Sequence, residues 1–538
     1  MLDKLFINGN IHTMAKEGET FEALGLREGL IEFVGTNAEA DKLVAQEVVD
    51  LQGKTMIPGM ADSHLHLYAH CQNLTFVDLS EVTSIGEMIE KMRAKAELTP
   101  KGQWIKGVNF DQENWAEHRF PTREEMDQIS TEHPVIIKRV CLHAVVVNSM
   151  ALELVGIGRG YKVASGGVVE LDEEGLPNGI IREQSTQVFD DAIPDPLSDP
   201  KVRDEMLLQV MGDMVANGIT NIHTYAAEIW HYKEDIAVYR ELEGRGLLPL
   251  RVTVCKDELF EPEEIGPEEL KDPHRTVQYG AYKIFSDGSM GSRSAALRED
   301  YSDDPGNRGF ILYTQEELDD IIYRGYAHGL RPAIHAIGDR ALDLTLTGIE
   351  HAMARGDEEG LTREGRVPFR VIHAQMADRE TVARMAKLPL VVDMQPIFLP
   401  TDLHWIEERI GERKVASFPL RDMVDAGIIL AGGSDCPVET YRPLPGIYAA
   451  VTRQDMEGIP REGFVPEQRL TPYEALAMYT KNAPYATGQE EVLGTLEVGK
   501  FADLVVLNDD ILKVDAAKIK DLQVEQTYLA GRCVYNRG

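Results

Sequence analysis

Eight short apolar runs, rich in β-branched residues and interleaved with stretches of helical periodicity, dominate this 538-residue chain. They are Met56–His64, Ile219–Thr224, Leu250–Cys255, Val277–Phe285, Pro332–His335, Phe369–His373, Leu390–Met394 and Ile428–Asp435. Strands covered on both faces read as continuous apolar runs, and strands that alternate with helices pair in parallel. Eight such units close on themselves, so the expected fold class is α/β, a (β/α)8 TIM barrel. The helices between them carry their own punctuation: Thr314-x-x-Glu317 is a capping box before an apolar stripe that stops at Gly329, and Pro472 follows Thr471 at a first helical turn.

The two ends read differently. Leu5–Met14, Ala502–Asn508 and Val524–Tyr535 alternate in the manner of short strands broken by Asn-Gly and Ala-Gly turns. Residues 1–56 and 487–538 are therefore expected to form one composite β-sandwich domain, with the barrel over 57–486. The gap between the first two barrel strands, about 70–218, is far longer than a crossover and predicts an inserted lobe over the barrel mouth.

A net charge of −35 repels nucleic acid and anionic lipid, and no basic run offers an exception. No window reaches the roughly 18 apolar residues of a membrane span, and the amino terminus lacks a basic segment followed by an apolar one. A cytoplasmic protein is expected, with five scattered cysteines as reduced thiols. The sequence carries no assembly signal, so a homodimer is expected only from the frequency of two-fold symmetry.

In a TIM barrel the reacting groups sit at the carboxyl ends of the strands. The first strand ends in His64-Leu-His66, and alternate strand residues share a face, so both imidazoles project together as a chelating pair. His335, His373 and Asp435 end the fifth, sixth and eighth strands, each after an apolar run where an unpartnered polar group is costly. Lys283 lies in the fourth strand within Tyr-Lys-Ile-Phe. Desolvation lowers the pKa of such an amine, and the neutral form adds carbon dioxide to give a carbamate, an anionic ligand able to bridge two metals. His143 and Arg293 are weaker candidates for substrate contact.

With these residues in view, the chain resembles the amidohydrolase superfamily, and within it the YtcJ-like branch, amidohydrolase family 3, which includes N-substituted formamide deformylases. The resemblance rests on Ile57-Pro-Gly-Met-Ala-Asp-Ser-His-Leu-His, Tyr282-Lys-Ile-Phe-Ser-Asp-Gly-Ser-Met-Gly-Ser-Arg, Ile334-His-Ala-Ile-Gly-Asp-Arg-Ala, Ile372-His-Ala-Gln, Met394-Gln-Pro, Gly433-Ser-Asp-Cys-Pro-Val and Gly499-Lys-Phe-Ala-Asp-Leu. It implies that His64 and His66 hold one divalent metal, His335 and His373 the other, that a carbamate on Lys283 bridges them, and that Asp435 binds metal and shuttles the proton. It also implies departures: Ile372 stands where the branch usually has Glu, Phe398 where it has His, and Cys141-Leu142 where it has Asp-Gly before His143.

The expected activity is hydrolysis of an amide-like C–N bond of a small molecule, such as an N-acyl or N-formyl amine or a cyclic amide, by a metal-activated hydroxide. Zinc, as one or two ions, suits the imidazole and carboxylate set best. The same site also suits an ester, lactone or phosphotriester hydrolase, and a barrel that had lost its chemistry would serve as a scaffold or binding protein.

Overall fold

The computed structural model describes the whole chain except residues 140–143, 164–166, 227–233, 258–260, 271 and 362–367. Two compact units emerge, one formed by Met1–Leu67 with Leu208–Gly538 and the other by Tyr68–Leu207.

At the centre of the first unit stand eight parallel strands in sequential order: β1 (Met60–Leu65), β2 (Ile219–Tyr225), β3 (Arg251–Asp257), β4 (Val277–Phe285), β5 (Arg331–Ala336), β6 (Phe369–His373), β7 (Leu390–Met394) and β8 (Ile429–Gly432). This is the (β/α)8 barrel that the alternating pattern predicts. Nearly every strand residue is buried, because helices cover the outside and side chains fill the inside. The helix Gln315–His328 begins at the Thr314–Glu317 capping box and ends at Gly329 in the left-handed conformation, as its sequence dictates.

The last strand meets the first through a tight seam. The amide of Asp435 donates to the carbonyl of His64 and the amide of His66 to the carbonyl of Cys436, each at 2.7 Å. The Asp62 carboxylate spans the same junction, its Oδ1 accepting from the amides of His64 and Ser434, both at 3.1 Å. Burial pushes the Asp62 carboxyl up to about 7, against the pull of its bonds to Ser434 and His64. Gly433 is fixed by this closeness, since a Cβ there would lie 2.9 Å from the His64 nitrogen.

Within the barrel the side chains form layers. Tyr225, Cys255, Ala281, Ala333 and Ile372 make one apolar layer. Ile372, the residue that stands where the branch usually has Glu, is fully buried in it.

Two sheets complete the first unit. One has the order Leu30–Gly35, Ala23–Arg27, Leu2–Ile7, Ala45–Asp50, and the other Asn10–Ile11, Thr55–Pro58, Leu504–Leu507, Val524–Leu529, Arg532–Asn536. Chain start and chain end are thus strand neighbours, and Phe6, Leu24, Leu26, Met56, Leu504, Val506 and Tyr528 share a core between them. A buried ion pair, Arg251 Nε to Asp503 Oδ2 at 2.7 Å, links barrel strand β3 to this region.

The second unit, Tyr68–Leu207, has a six-stranded mixed sheet and the helix Ile85–Leu98, whose Ser84 cap accepts from the Glu87 amide. Its core includes Met88, Met92, Phe110, Ile137 and Trp115, with the Trp115 ring 5.4 Å from that of Phe110. Trp115 is therefore a packing residue. His143 and the Cys141-Leu142 pair lie outside the described residues.

The seam gives a direct test. Gly433→Ala forces the His64 backbone aside and costs about 1–3 kcal/mol, as overpacking does; a lowered thermal midpoint is the expected result, and an unchanged midpoint would contradict the close approach.

Candidate metal centre

The carboxyl ends of β1, β4, β5, β6 and the turn after β8 converge on one place. Asp435 Oδ1 lies 3.1 Å from His64 Nε2 and 3.2 Å from His66 Nε2. Lys283 Nζ is 3.3 Å from His64 Nε2 and is 1% exposed. Ligand atoms of His64, His373 and Asp435 all fall within 4.8 Å of one another. The His335 ring stands 4.5 Å from that of His373, edge on at 77°. All six residues singled out from sequence as ligands are therefore brought together, from strands up to 371 residues apart in the chain (Asp435 minus His64).

Three of the four imidazoles are oriented by a neighbour, while His64 Nδ1 is buried with no hydrogen-bond partner among the described residues. His66 Nδ1 lies 2.8 Å from the Tyr225 carbonyl, so it carries the proton and leaves Nε2 bare. His373 Nδ1 is 2.7 Å from Gln395 Oε1, and the Gln395 amide is itself held by the Asp393 carbonyl at 3.0 Å. His335 turns the other way, its Nε2 at 3.1 Å from the Gly288 carbonyl and 3.3 Å from Asp287 Oδ1, which leaves Nδ1 for a ligand.

The electrostatics point the same way. Burial drives the pKa of His64 well below the ordinary histidine range, helped by the nearby Lys283. Burial does the same for His373, with His335 beside it. Burial alone would raise Asp435, yet its contacts with His64 and His66 outweigh that and hold it well below the usual carboxylate range. Both shifts favour neutral His64 and His373, the form in which an imidazole binds a metal.

A cation fits this arrangement for a specific reason. With the His66 proton on Nδ1, its Nε2 and the Asp435 oxygen 3.2 Å away require a positive charge between them, a second proton or a metal ion. Two acceptors so close repel unless positive charge lies between them. Ligand atoms about 2.1 Å from one ion at roughly 90–110° are about 3.0–3.4 Å apart, which matches the separations here.

Backbone strain is concentrated at the same residues. His373 (φ 72°), Ala374 (φ 44°) and Asp435 (φ 58°) occupy the left-handed region, which non-glycine residues enter at a cost and which recurs at functional sites.

Several contributors escaped the reading of the sequence. Asp287, fully buried, accepts from the amides of Ala296, Ile337 and Gly338 at 2.9, 3.1 and 2.9 Å while touching His335. Its signal was an acidic residue before glycine directly after β4. His223, fully buried on β2, has only its place near a strand end as a sequence signal. Arg293 pairs its guanidinium with Asp303 at 2.8 and 3.1 Å. Phe398 stacks on His373, with ring centroids 5.8 Å apart and planes at 22°.

A model of the amidohydrolase family matches residues 47–535. The chain belongs to the amidohydrolase family. It is 32% identical over 540 residues, covering 98% of both chains, to the putative amidohydrolase YtcJ of Bacillus subtilis (strain 168). It is 30% identical over 555 residues, 100% of this chain and 99% of the other, to the N-substituted formamide deformylase of Arthrobacter pascens. An uncharacterized metal-dependent hydrolase from Pyrococcus horikoshii OT3 superposes with a TM-score of 0.78 at 28% identity, covering 95% of this chain and 99% of that one. This amidohydrolase is accordingly a hydrolase that acts on carbon–nitrogen bonds. Among its described residues no helix is long and apolar enough to cross a membrane.

Removing the support under His373 tests the site. Gln395→Leu takes away the acceptor for Nδ1–H and is expected to weaken metal binding by about 10- to 100-fold. Competition with a chromophoric chelator measures it, and an affinity within twofold of the parent protein would show that Gln395 does not orient the ligand.

Proposed function

We propose that this amidohydrolase cleaves the amide-like C–N bond of a small N-acyl or N-formyl amine, or of a cyclic amide, at a two-zinc centre. In this reading His64 and His66 would hold one ion and His335 and His373 the other, with Lys283 as a carbamate supplying an anionic oxygen ligand. The observation that carries it is Asp435, whose Oδ1 sits 3.1 and 3.2 Å from the Nε2 atoms of His64 and His66 and whose environment keeps it ionised.

When bound, the metal acidifies water, from a pKa of about 15.7 towards about 7, and polarises the scissile carbonyl. The chain's own residues do the rest. Asp435 accepts a proton from the attacking water and returns it to the departing nitrogen, which would otherwise leave as a poor amide anion. Tyr225, Gln395 and the Gly288 carbonyl keep His66, His373 and His335 in their ligand tautomers. Lys283 reacts as the free amine: its nitrogen attacks carbon dioxide, loses a proton, and becomes a carbamate anion. Lys283 is 1% exposed and its Nζ lies 3.3 Å from His64 Nε2, so the carbamate would form beside that ligand.

Zinc is preferred because the donors are imidazole nitrogens with one carboxylate and no thiolate. The thiols of Cys71, Cys255, Cys436 and Cys533 are not in disulfides, which suits a reducing cytosol as the place of action.

Protein prepared without chelators is expected to carry one to two equivalents of a transition metal, lose turnover on stripping and regain it on zinc addition faster with bicarbonate present. Asp435→Asn should retain protein folding and lower kcat by orders of magnitude. A panel of N-formyl amines, N-acyl amino acids, cyclic ureas and simple esters assigns the substrate. Full activity in metal-free protein, unchanged turnover in Asp435→Asn, or hydrolysis of esters alone would each overturn this reading.

A further inference from the structure

Arg370 and Asp393 form an ion pair inside the barrel, both with fully buried side chains. Arg370 Nε donates to Asp393 Oδ2 at 2.7 Å and Nη2 to Oδ1 at 2.6 Å. Nη2 also donates to the carbonyl of Ser63 at 2.8 Å and lies 3.2 Å from His223 Nδ1. Ser63 immediately precedes His64, so one guanidinium on β6 grips the backbone of β1 where the first ligand pair begins.

The strands it joins are those that carry or orient ligands. β1 bears His64 and His66, and β2 bears His223 and also Tyr225, whose carbonyl takes the His66 proton. β6 bears His373 three residues beyond Arg370, and β7 bears Asp393 two residues before Gln395, the partner of His373. The guanidinium further lies 5.6 Å from the centroid of the Tyr225 ring. Arg370 is thus a crossbar joining four strands.

Stability does not explain it. A buried ion pair is commonly no better for folding than apolar residues of the same volume, because desolvation offsets the attraction. What a forked, bidentate guanidinium supplies and an apolar plug does not is direction: its hydrogen bonds fix the relative height of the strands it joins. Ligand sets tolerate errors of only about 0.5 Å, and the backbone of His64 shifts with Ser63.

We propose that Arg370, anchored by Asp393, is a positioning residue that sets the height of β1 relative to β6 and β7 and thereby the spacing of His64 and His66 from His373 and Asp435. This rests on the metal centre proposed above.

The test uses the full-length protein loaded with Co2+, whose visible spectrum reports ligand geometry. In Arg370→Met/Asp393→Leu both charges leave together, so no lone charge is buried. Arg370→Lys keeps the charge beside Asp393 and gives up the fork. Both are expected to melt within a few degrees of the parent, bind Co2+ about 10- to 100-fold more weakly and show an altered cobalt spectrum, with Arg370→Lys the milder. Parent affinity and spectrum in either folded variant would overturn the positioning role. So would failure of both variants to fold, since the pair would then be a folding element. A parent protein that itself binds no Co2+ would instead defeat the metal centre, and the two failures are told apart by that control.

Discussion

The amide of Asp435 donates to the carbonyl of His64 at 2.7 Å, and that bond joins the end of the last barrel strand to the first. Through it the two ends of a long chain segment share one backbone junction. His64 and His66 arrive on one side and Asp435 on the other, so their separations follow from closure rather than from side-chain flexibility. Gly433 permits the approach and Asp62 bridges it with two amide hydrogen bonds. The site inherits the rigidity of the seam.

Around the seam the protein spends polar groups where a barrel would ordinarily place aliphatic ones. Buried imidazoles, a lysine, a carboxylate and the Arg370–Asp393 pair lie within one unit's interior. Each is costly alone. Partners offset much of that cost: Tyr225, Gln395 and Gly288 orient imidazoles, and Asp287 ties three backbone amides to His335, while His64 Nδ1, His223 Nε2 and Arg370 Nη1 have no hydrogen-bond partner among the described residues. The left-handed backbone at His373 and Asp435 adds a further cost at the same place, which is where function concentrates strain.

Much of this was legible in the chain. Runs of β-branched residues with helices between them require a parallel sheet, and their number requires closure. The strand-end histidines, Lys283 and Asp435 were legible too, because a polar residue ending an apolar run has few reasons to be there. Supporting residues were harder. Asp287 resembles any turn aspartate, His223 any strand histidine, and Arg370 any charge near a strand start; only their neighbours give them roles. Ile372 shows the same limit from the other side, since the motif marks it only as a departure from Glu while its position on β6 puts it among Tyr225, Cys255, Ala281 and Ala333.

By itself the sequence determined the fold class and which polar residues end the barrel strands, because strand periodicity and the placement of polar residues at strand ends are local and additive. Tertiary structure decided which nitrogen of each imidazole faces the centre, which carbonyl or carboxylate holds it there, and that Asp435 lies against His64 and His66. Those are properties of separations across hundreds of residues, fixed by strand register and by one hydrogen-bonded seam, and no local pattern encodes them.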